Sequence, residues 1–421
     1  MTDATWLGAV LAAARPRAVA ALLRYFRDLD LAEEAFQEAC LKALTVWPRN
    51  GPPRDVAAWL ITVGRNAGLD TVRRLGRHQS LPTDTDIADP IDAEAAMLER
   101  IDAGDYRDDM LRLLFICCQP DLAANQQIAL ALRIVCGLSV RQIARAFLVS
   151  EAAMEQRITR AKARIATAAV PFSAPGPAER AERLAAVAAM IYLVFNEGYT
   201  TGVAERGARA PLCAEAIRLA RLLLDLYPGE PGLMGLTGLM LLHHARAAAR
   251  FDSDGNAVLL ANQDRSLWNR PMIAEGQALV DKAMRHGRPD PYLLQAAIAV
   301  AHTRADRAEQ TDWAEIDRLY AVLERLQPSP IVTLNRAVAA ASVRGPVEAL
   351  AMIEPLAAAL SRYFYFHGAR GAFLRDLGRT DEARDAFSRA ISLANTAAEA
   401  AYIRQQLDDL DADAATPGRK P

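Results

Sequence analysis

Two short basic segments hold the residues best suited to chemistry with a polyanion. From Thr62 to Gln79 the charged residues are Arg65, Asp70, Arg73, Arg74 and Arg77. From Arg141 to Ile165 they are Arg141, Arg145, Glu151, Glu155, Arg157, Arg160, Lys162 and Arg164. Cations interspersed with amides and carboxylates suit two tasks: neutralising phosphates, and hydrogen bonding to base edges. Whole-chain charge hides the pattern, because the formal net is -2. An acidic stretch between the segments restores the balance, with acids from Asp84 to Asp109 facing only Arg100 and Arg107.

Other chemistries find no constellation. The six histidines form no HExxH pattern and no triad. Five cysteines (Cys40, Cys117, Cys118, Cys136, Cys213) form an odd set without Cys-x-x-Cys or a histidine at zinc-ligand spacing. Buried thiols in a reducing cytoplasm are expected, with no catalytic residue, metal or cofactor, and the chain reads as a non-enzyme. Met1 to Ala4 lack a basic segment followed by an apolar run, so no signal peptide is expected. The apolar stretches Ile128 to Leu138 and Leu233 to Leu242 read as core helices, short of the ~20 residues a bilayer needs. No membrane association is expected.

The elements that must position these residues are helical throughout. Hydrophobic residues are 52% of the 421, recurring at helical spacing without long Val/Ile/Thr alternation, which predicts an all-α fold. Pro/Gly punctuation at Pro48 to Pro53, Pro82 to Pro90 and Pro171 to Pro177 divides the chain. In the first piece Ala32, Ala35, Phe36, Ala39, Ala43 and Leu44 fall on one helical face and Glu33, Glu34, Gln37, Glu38 and Lys42 on the other. Next, Trp59, Leu60, Val63, Ala67 and Val72 pack inward while Arg65, Asn66, Asp70, Arg73 and Arg74 project outward. Either face taken alone is equally an ordinary solvated one.

Ser139-Val-Arg-Gln142 is a capping box, predicting a helix from about Val140. Leu148-Val149-Ser150 makes a short turn, with Ser150 capping a second helix from Glu151. Two helices across such a turn are the helix-turn-helix arrangement, though a plain helical hairpin shares the pattern. In the second helix Ala153, Met154, Ile158, Ala161 and Ile165 serve as core and Arg157, Arg160, Lys162 and Arg164 decorate the outside, a helix able to lie in a major groove.

Together these segments resemble a bacterial sigma factor of the sigma-70 family, in its extracytoplasmic-function (ECF) class. Ala32-Glu-Glu-Ala-Phe-Gln-Glu-Ala-Cys-Leu-Lys-Ala-Leu44, Trp59-Leu-Ile-Thr-Val-Gly-Arg-Asn66, Asp70-Thr-Val-Arg-Arg74 and the helix-turn-helix occur in that family's order. The resemblance implies a sigma-2 domain (1–80), an acidic linker (81–104) and a sigma-4 domain (105–170). It implies that Glu34, Gln37, Glu38 and Leu41 dock on the β′ clamp helices of core RNA polymerase, with sigma-4 meeting the β flap. Arg65, Asn66, Asp70, Arg73 and Arg74 would face the -10 promoter element. Ser150, Glu151, Glu155, Gln156, Arg157, Arg160, Lys162 and Arg164 would read the -35 element. A cytoplasmic, nucleoid-associated protein follows. Leu148 stands where many relatives place glycine, so a positive φ there would carry strain. Glu155 replaces a frequent lysine, which implies an altered -35 preference.

The remaining ~250 residues read as degenerate tetratricopeptide-like (TPR-like) repeats, spanning 178–408 before a flexible tail, 409–421. Gly371, Gly378, Ala383, Phe387 and Ala390 match the small and aromatic positions of one unit. Ala349, Ile353 and Leu356 match one unit back, then Ile316, Tyr320 and Leu323, and earlier Ala216, Ala220 and Leu223. An irregular helical domain is the other reading. Ile191 to Tyr199, Asn262 to Arg270 and Thr311 to Trp313 interrupt the alanine background with polar and aromatic groups that either line a pocket or close helix ends. Asn196-Glu-Gly-Tyr199 and Leu334-Asn-Arg-Ala-Val338 resemble the extension of an ECF subgroup with such repeats. That implies control by a fused domain contacting the sigma domains, polymerase or another protein. The competing expectations are a helix-turn-helix regulator that acts without polymerase, and a TPR adaptor.

Overall fold

The computed structural model describes residues 4–75, 103–119, 121–147, 149–167, 177–199, 203–252, 258–394 and 397–415. Every regular element among them is helical. The chain divides into two compact units, Met1–Thr200 with Ala208–Ala216, and Thr201–Gly207 with Ile217–Pro421. Leu148, most of the acidic linker and the end of the tail lie outside the described residues.

The first unit opens with α1 (Ala4–Phe26), α2 (Leu29–Asn50) and α3 (Val56–Leu75). Arg27 ends α1 with a left-handed φ of 56°, its amide donating to the Leu23 carbonyl at 2.8 Å. Asp28 starts α2 by accepting from the Leu31 amide at 3.0 Å. Within the Pro48 to Pro53 punctuation the helix runs through Pro48 and breaks at Gly51, whose φ is 76° and whose amide donates to the Trp47 carbonyl. A proline in a last turn removes only one hydrogen bond near a fraying end. Asp55 caps α3 through the Ala58 amide at 2.9 Å and pairs with Arg17 of α1 at 3.2 Å. Trp47 is buried, edge-on to Trp59 at 5.1 Å.

Trp6–Phe26 in α1 is the one segment among the described residues long and apolar enough to cross a membrane, a stretch that sequence reading passed over. About half of it is buried in the fold, and it carries the buried, ion-paired Arg15, as core helices do and bilayer-facing ones do not.

The unit continues with α4 (Ala103–Cys117), α5 (Ala124–Ile134), α6 (Val140–Ala146), α7 (Glu151–Thr167) and α8 (Pro177–Tyr199). On α4, the buried Asp109 pairs with Arg24 of α1 at 3.3 Å and Arg112 at 2.9 Å. Helix α8 packs on α4 and α5, and its Arg183, 1% exposed, lies over the Phe115 ring at 4.7 Å.

Helix α9 (Val203–Leu226) passes into the second unit, followed by α10 (Pro231–His244), α11 (Arg270–Met284), α12 (Pro291–Arg304) and α13 (Trp313–Leu326). Then come α14 (Pro330–Arg344), α15 (Pro346–Ile353), α16 (Phe364–Asp376), α17 (Thr380–Leu393) and α18 (Ala397–Ala415). Asn269, Asp290, Asp312 and Ser329 each cap a helix with a side-chain oxygen, so Asn269 and Asp312 of the polar interruptions close helix ends. Helix α10 is buried on all sides. Gly371 lets the Phe387 ring approach to 2.6 Å of where a Cβ would stand, and Gly378, φ 71°, turns α16 into α17. Across α13 and α14, Arg336 bridges Asp317 at 3.1 Å and Glu324 at 2.7 Å.

Candidate nucleic-acid and polymerase interface

Helix α2 presents one continuous exposed face. Glu34, Gln37, Glu38 and Leu41 are all exposed, while Ala32, Ala35, Phe36, Ala39, Ala43 and Trp47 are buried on the opposite side. Two residues depart from the amphipathic expectation. Leu44, expected inside, is 50% exposed and extends an apolar strip from Leu41 toward Val46. Glu33, expected outside, is 4% exposed because a buried cation claims it: Arg15 of α1 donates to its Oε1 at 2.7 Å.

On α3, Asp70 is exposed and Asn66 half-buried. Arg65 does not simply project outward. Its guanidinium lies over the Tyr25 ring at 4.9 Å, and its Nε is buried without a hydrogen bond. Sequence reading passed over Tyr25, whose partner sits on another helix. Arg73 and Arg74 stand in the last turns of α3; their side chains lie outside the described residues. Gly64 admits α2 closely, a Cβ there standing 3.0 Å from the Ala35 carbonyl oxygen.

The α6–α7 corner is built by its caps. Ser139 Oγ accepts from the Gln142 amide at 3.2 Å while Gln142 Oε1 accepts from the Ser139 amide at 2.8 Å. Ser150 Oγ accepts from the Ala153 amide at 3.2 Å. Met154, Ile158 and Ala161 form the buried face of α7, whereas Ala153, expected inside, is exposed in the first turn. Glu151, Glu155, Gln156, Arg160 and Arg164 are exposed. Arg141 and Glu151 lie 3.6 Å apart at the surface, and the half-buried Arg157 stands over the Phe147 ring at 5.9 Å.

Lys162 is the residue whose surroundings differ most from the outward position expected. Its Nζ donates to Asp30 Oδ1 and Glu33 Oε2, both at 2.7 Å, tying α7 to α2. Burial opposes its charge, yet the carboxylates of Glu33 and Asp30 hold its pKa above the usual lysine value. Arg15 completes the cluster, its Nε donating to the Ile134 carbonyl at 3.0 Å and a terminal nitrogen to the Arg133 carbonyl at 3.3 Å. These are carbonyls of the last turn of α5, where a cation is favoured. Burial depresses the Arg15 pKa against the pull of Glu33.

The thiols are placed for packing. Burial pushes Cys40 up to about 11 and Cys118 up to about 12, and raises Cys117 well above its ordinary value, so they carry little nucleophilic thiolate at neutral pH.

Residues 10–78 match the family model described as Sigma-70 region 2, and residues 113–165 match Sigma-70, region 4. Residues 183–284 match a family of unknown function, DUF6596. The chain is similar to an uncharacterized protein of Rhizobium meliloti (strain 1021), 65% identical over 416 residues, covering 99% of this chain and 98% of that protein. No solved structure matches the chain. Sigma-70 regions of these two kinds act in promoter-specific transcription initiation, with core RNA polymerase and promoter DNA as the implied partners. The α2 and α3 faces fall within the first match and the capped α6–α7 corner within the second, so the chain belongs to the sigma-70 family, as an ECF-type sigma factor with an additional C-terminal domain.

Proposed function

We propose that this chain docks on core polymerase through the exposed α2 face and directs initiation by reading the -10 element with α3 and the -35 element with α7. The observation that carries this reading is the continuous exposed strip of Glu34, Gln37, Glu38 and Leu41 within the region 2 match. A factor confined to duplex binding has no use for it. Melting needs no catalytic residue in sigma: an unstacked base costs a few kcal/mol, which contacts with the opened strand offset. Arg65, Asn66, Asp70, Arg73 and Arg74 would supply those contacts. Ser150, Glu151, Glu155, Gln156, Arg157, Arg160 and Arg164 would face the major groove and its phosphates, with Lys162 joining them once freed from α2.

The C-terminal helices would regulate this activity as a TPR-like scaffold. The Gly371 and Phe387 contact and the Gly378 turn support that reading, as does the packing of α8 on the sigma-4 helices.

The test is promoter-dependent transcription with purified bacterial core polymerase. Full-length protein is expected to give selective transcripts. Leu41→Glu should weaken core binding about tenfold or more, since losing an interface hot spot costs about 2 kcal/mol or more. Core-independent duplex binding with unchanged Leu41→Glu behaviour would instead indicate a polymerase-independent regulator. Absence of both would indicate an adaptor.

A further inference from the structure

Arg15, Arg17 and Arg24 of α1 each meet a carboxylate. Arg65, half-buried on α3, is held differently. Among the described residues it makes no hydrogen bond and no ion pair, and its Nε is buried without a partner. What holds it is the ring of Tyr25, over which its guanidinium lies at 4.9 Å. A cation over a ring face is attracted without spending its donors. The guanidinium is therefore fixed in place while its N–H groups stay uncommitted.

Tyr25 is in turn fixed by a short circuit of contacts between α1 and α3. It stands in the last turn of α1, two residues before the left-handed Arg27. Phe26, 3% exposed, meets it edge-on at 4.9 Å. Gly68, one turn beyond Arg65 on the same face of α3, makes room for the Phe26 ring, with which a Cβ on Gly68 would collide. The path thus runs from Gly68 to Phe26 to Tyr25 and back to Arg65. Phe26 does the packing in this circuit. Tyr25 is only half-buried and its hydroxyl bonds to no described residue, so burial alone does not account for an aromatic ring at this position.

An unrestrained arginine loses much rotamer freedom when it grips a phosphate or a base edge. Arg65 has given up that freedom before any DNA arrives. We propose that Tyr25 is a positioning residue for promoter recognition: its ring holds the Arg65 guanidinium ready for the -10 element, without itself touching DNA. The proposal rests on the -10 reading of α3.

The test uses holoenzyme assembled from full-length protein and purified core polymerase, on a promoter recovered from the wild-type transcripts. Opening is read from the permanganate reactivity of thymines in the -10 element, beside core binding. Tyr25→Leu removes the ring face and should lower the equilibrium for opening roughly two- to fivefold, the range of one cation–π contact at a partly exposed site. Core binding should stay within twofold. Tyr25→Phe keeps the ring and should restore opening to the wild-type level. Arg65→Gln should lower opening at least as far as Tyr25→Leu, and adding Tyr25→Leu to it should cost nothing more, as two residues acting through one contact require. On templates randomised across the -10 element, Tyr25→Leu and Arg65→Gln should relax the same position. Equal losses from Tyr25→Leu with and without Arg65, a Tyr25→Phe protein no better than Tyr25→Leu, or a matching fall in core binding would each show a purely structural ring. Any of these overturns the positioning role and leaves the -10 reading intact. An Arg65→Gln holoenzyme that opens the promoter normally would strike Arg65 from the -10 reading, and Tyr25 with it.

Discussion

Among the described residues His243 and His302 carry the clearest pH signature. Burial, with Arg246 and Arg250 and then His302 adding repulsion, pushes His243 down to about 3. Burial, with Arg246 and Arg265, pushes His302 down to about 4. Both are neutral in the folded protein at pH 7, and His302 stands edge-on to Trp313 at 5.4 Å. Unfolded, each would titrate near 6.5. Above that value neither affects stability; as pH falls from about 6.5 toward 4 the unfolded chain binds the extra protons and stability declines. At pH 5 the expected loss is about 1–2 kcal/mol per histidine. Urea titrations at pH 7.5 and 5.0 check it. The midpoint should drop in the wild type, and His302→Gln should remove about half of the histidine-dependent part of that drop. An equal drop in both proteins would mean that His302 titrates normally.

Helix-to-helix approach in the second unit depends on glycine at chosen positions of α10. A Cβ at Gly235 would lie 2.6 Å from the backbone of Leu293 on α12, and one at Gly238 3.1 Å from the Gly276 carbonyl oxygen on α11. Backbone cannot rotate away as a side chain can, so Gly235→Ala must push α10 and α12 apart, at about 1–3 kcal/mol. Gly229, with nothing within 4 Å of a built Cβ, should accept alanine with little change. Thermal unfolding of the two variants checks the contrast, and equal midpoints would contradict the packing described. Such contacts also mark how far sequence reading reaches. The caps at Ser139 and Ser150 were legible because their partners lie three residues away, and so was the α2 face carrying Gln37 and Glu38. Local pattern misplaced Glu33 and Lys162, whose ion pair spans 129 positions. It also passed over the stacking of Tyr25 on Arg65, on separate helices. Helical periodicity assigns a face; it does not say which distant charge that face meets.

At the scale of the molecule, α8 determines where the extension can be separated from the sigma regions. Proline-rich punctuation near residue 175 suggests a cut there, yet α8 packs on α4 and α5 and belongs to the first compact unit. Its Leu184, Val187, Ile191 and Val194 are all below 9% exposed, and each such side chain contributes about 1.5–3 kcal/mol when fully buried. Removing them would take away several kcal/mol, a large share of the 5–15 kcal/mol that typically holds a domain together. It would also expose Phe115 beneath Arg183. A fragment ending at 175 is therefore expected to melt well below one ending at 216, which keeps α8 and the Cys213 to Phe195 contact at 3.6 Å. Loss of transcription by the shorter fragment would then report unfolding of the sigma-4 helices, and only the longer one tests control by the extension. Thermal midpoints of both fragments decide the matter before any transcription is measured. Equal midpoints would show that α8 is dispensable to the sigma regions and return the boundary to the proline-rich segment.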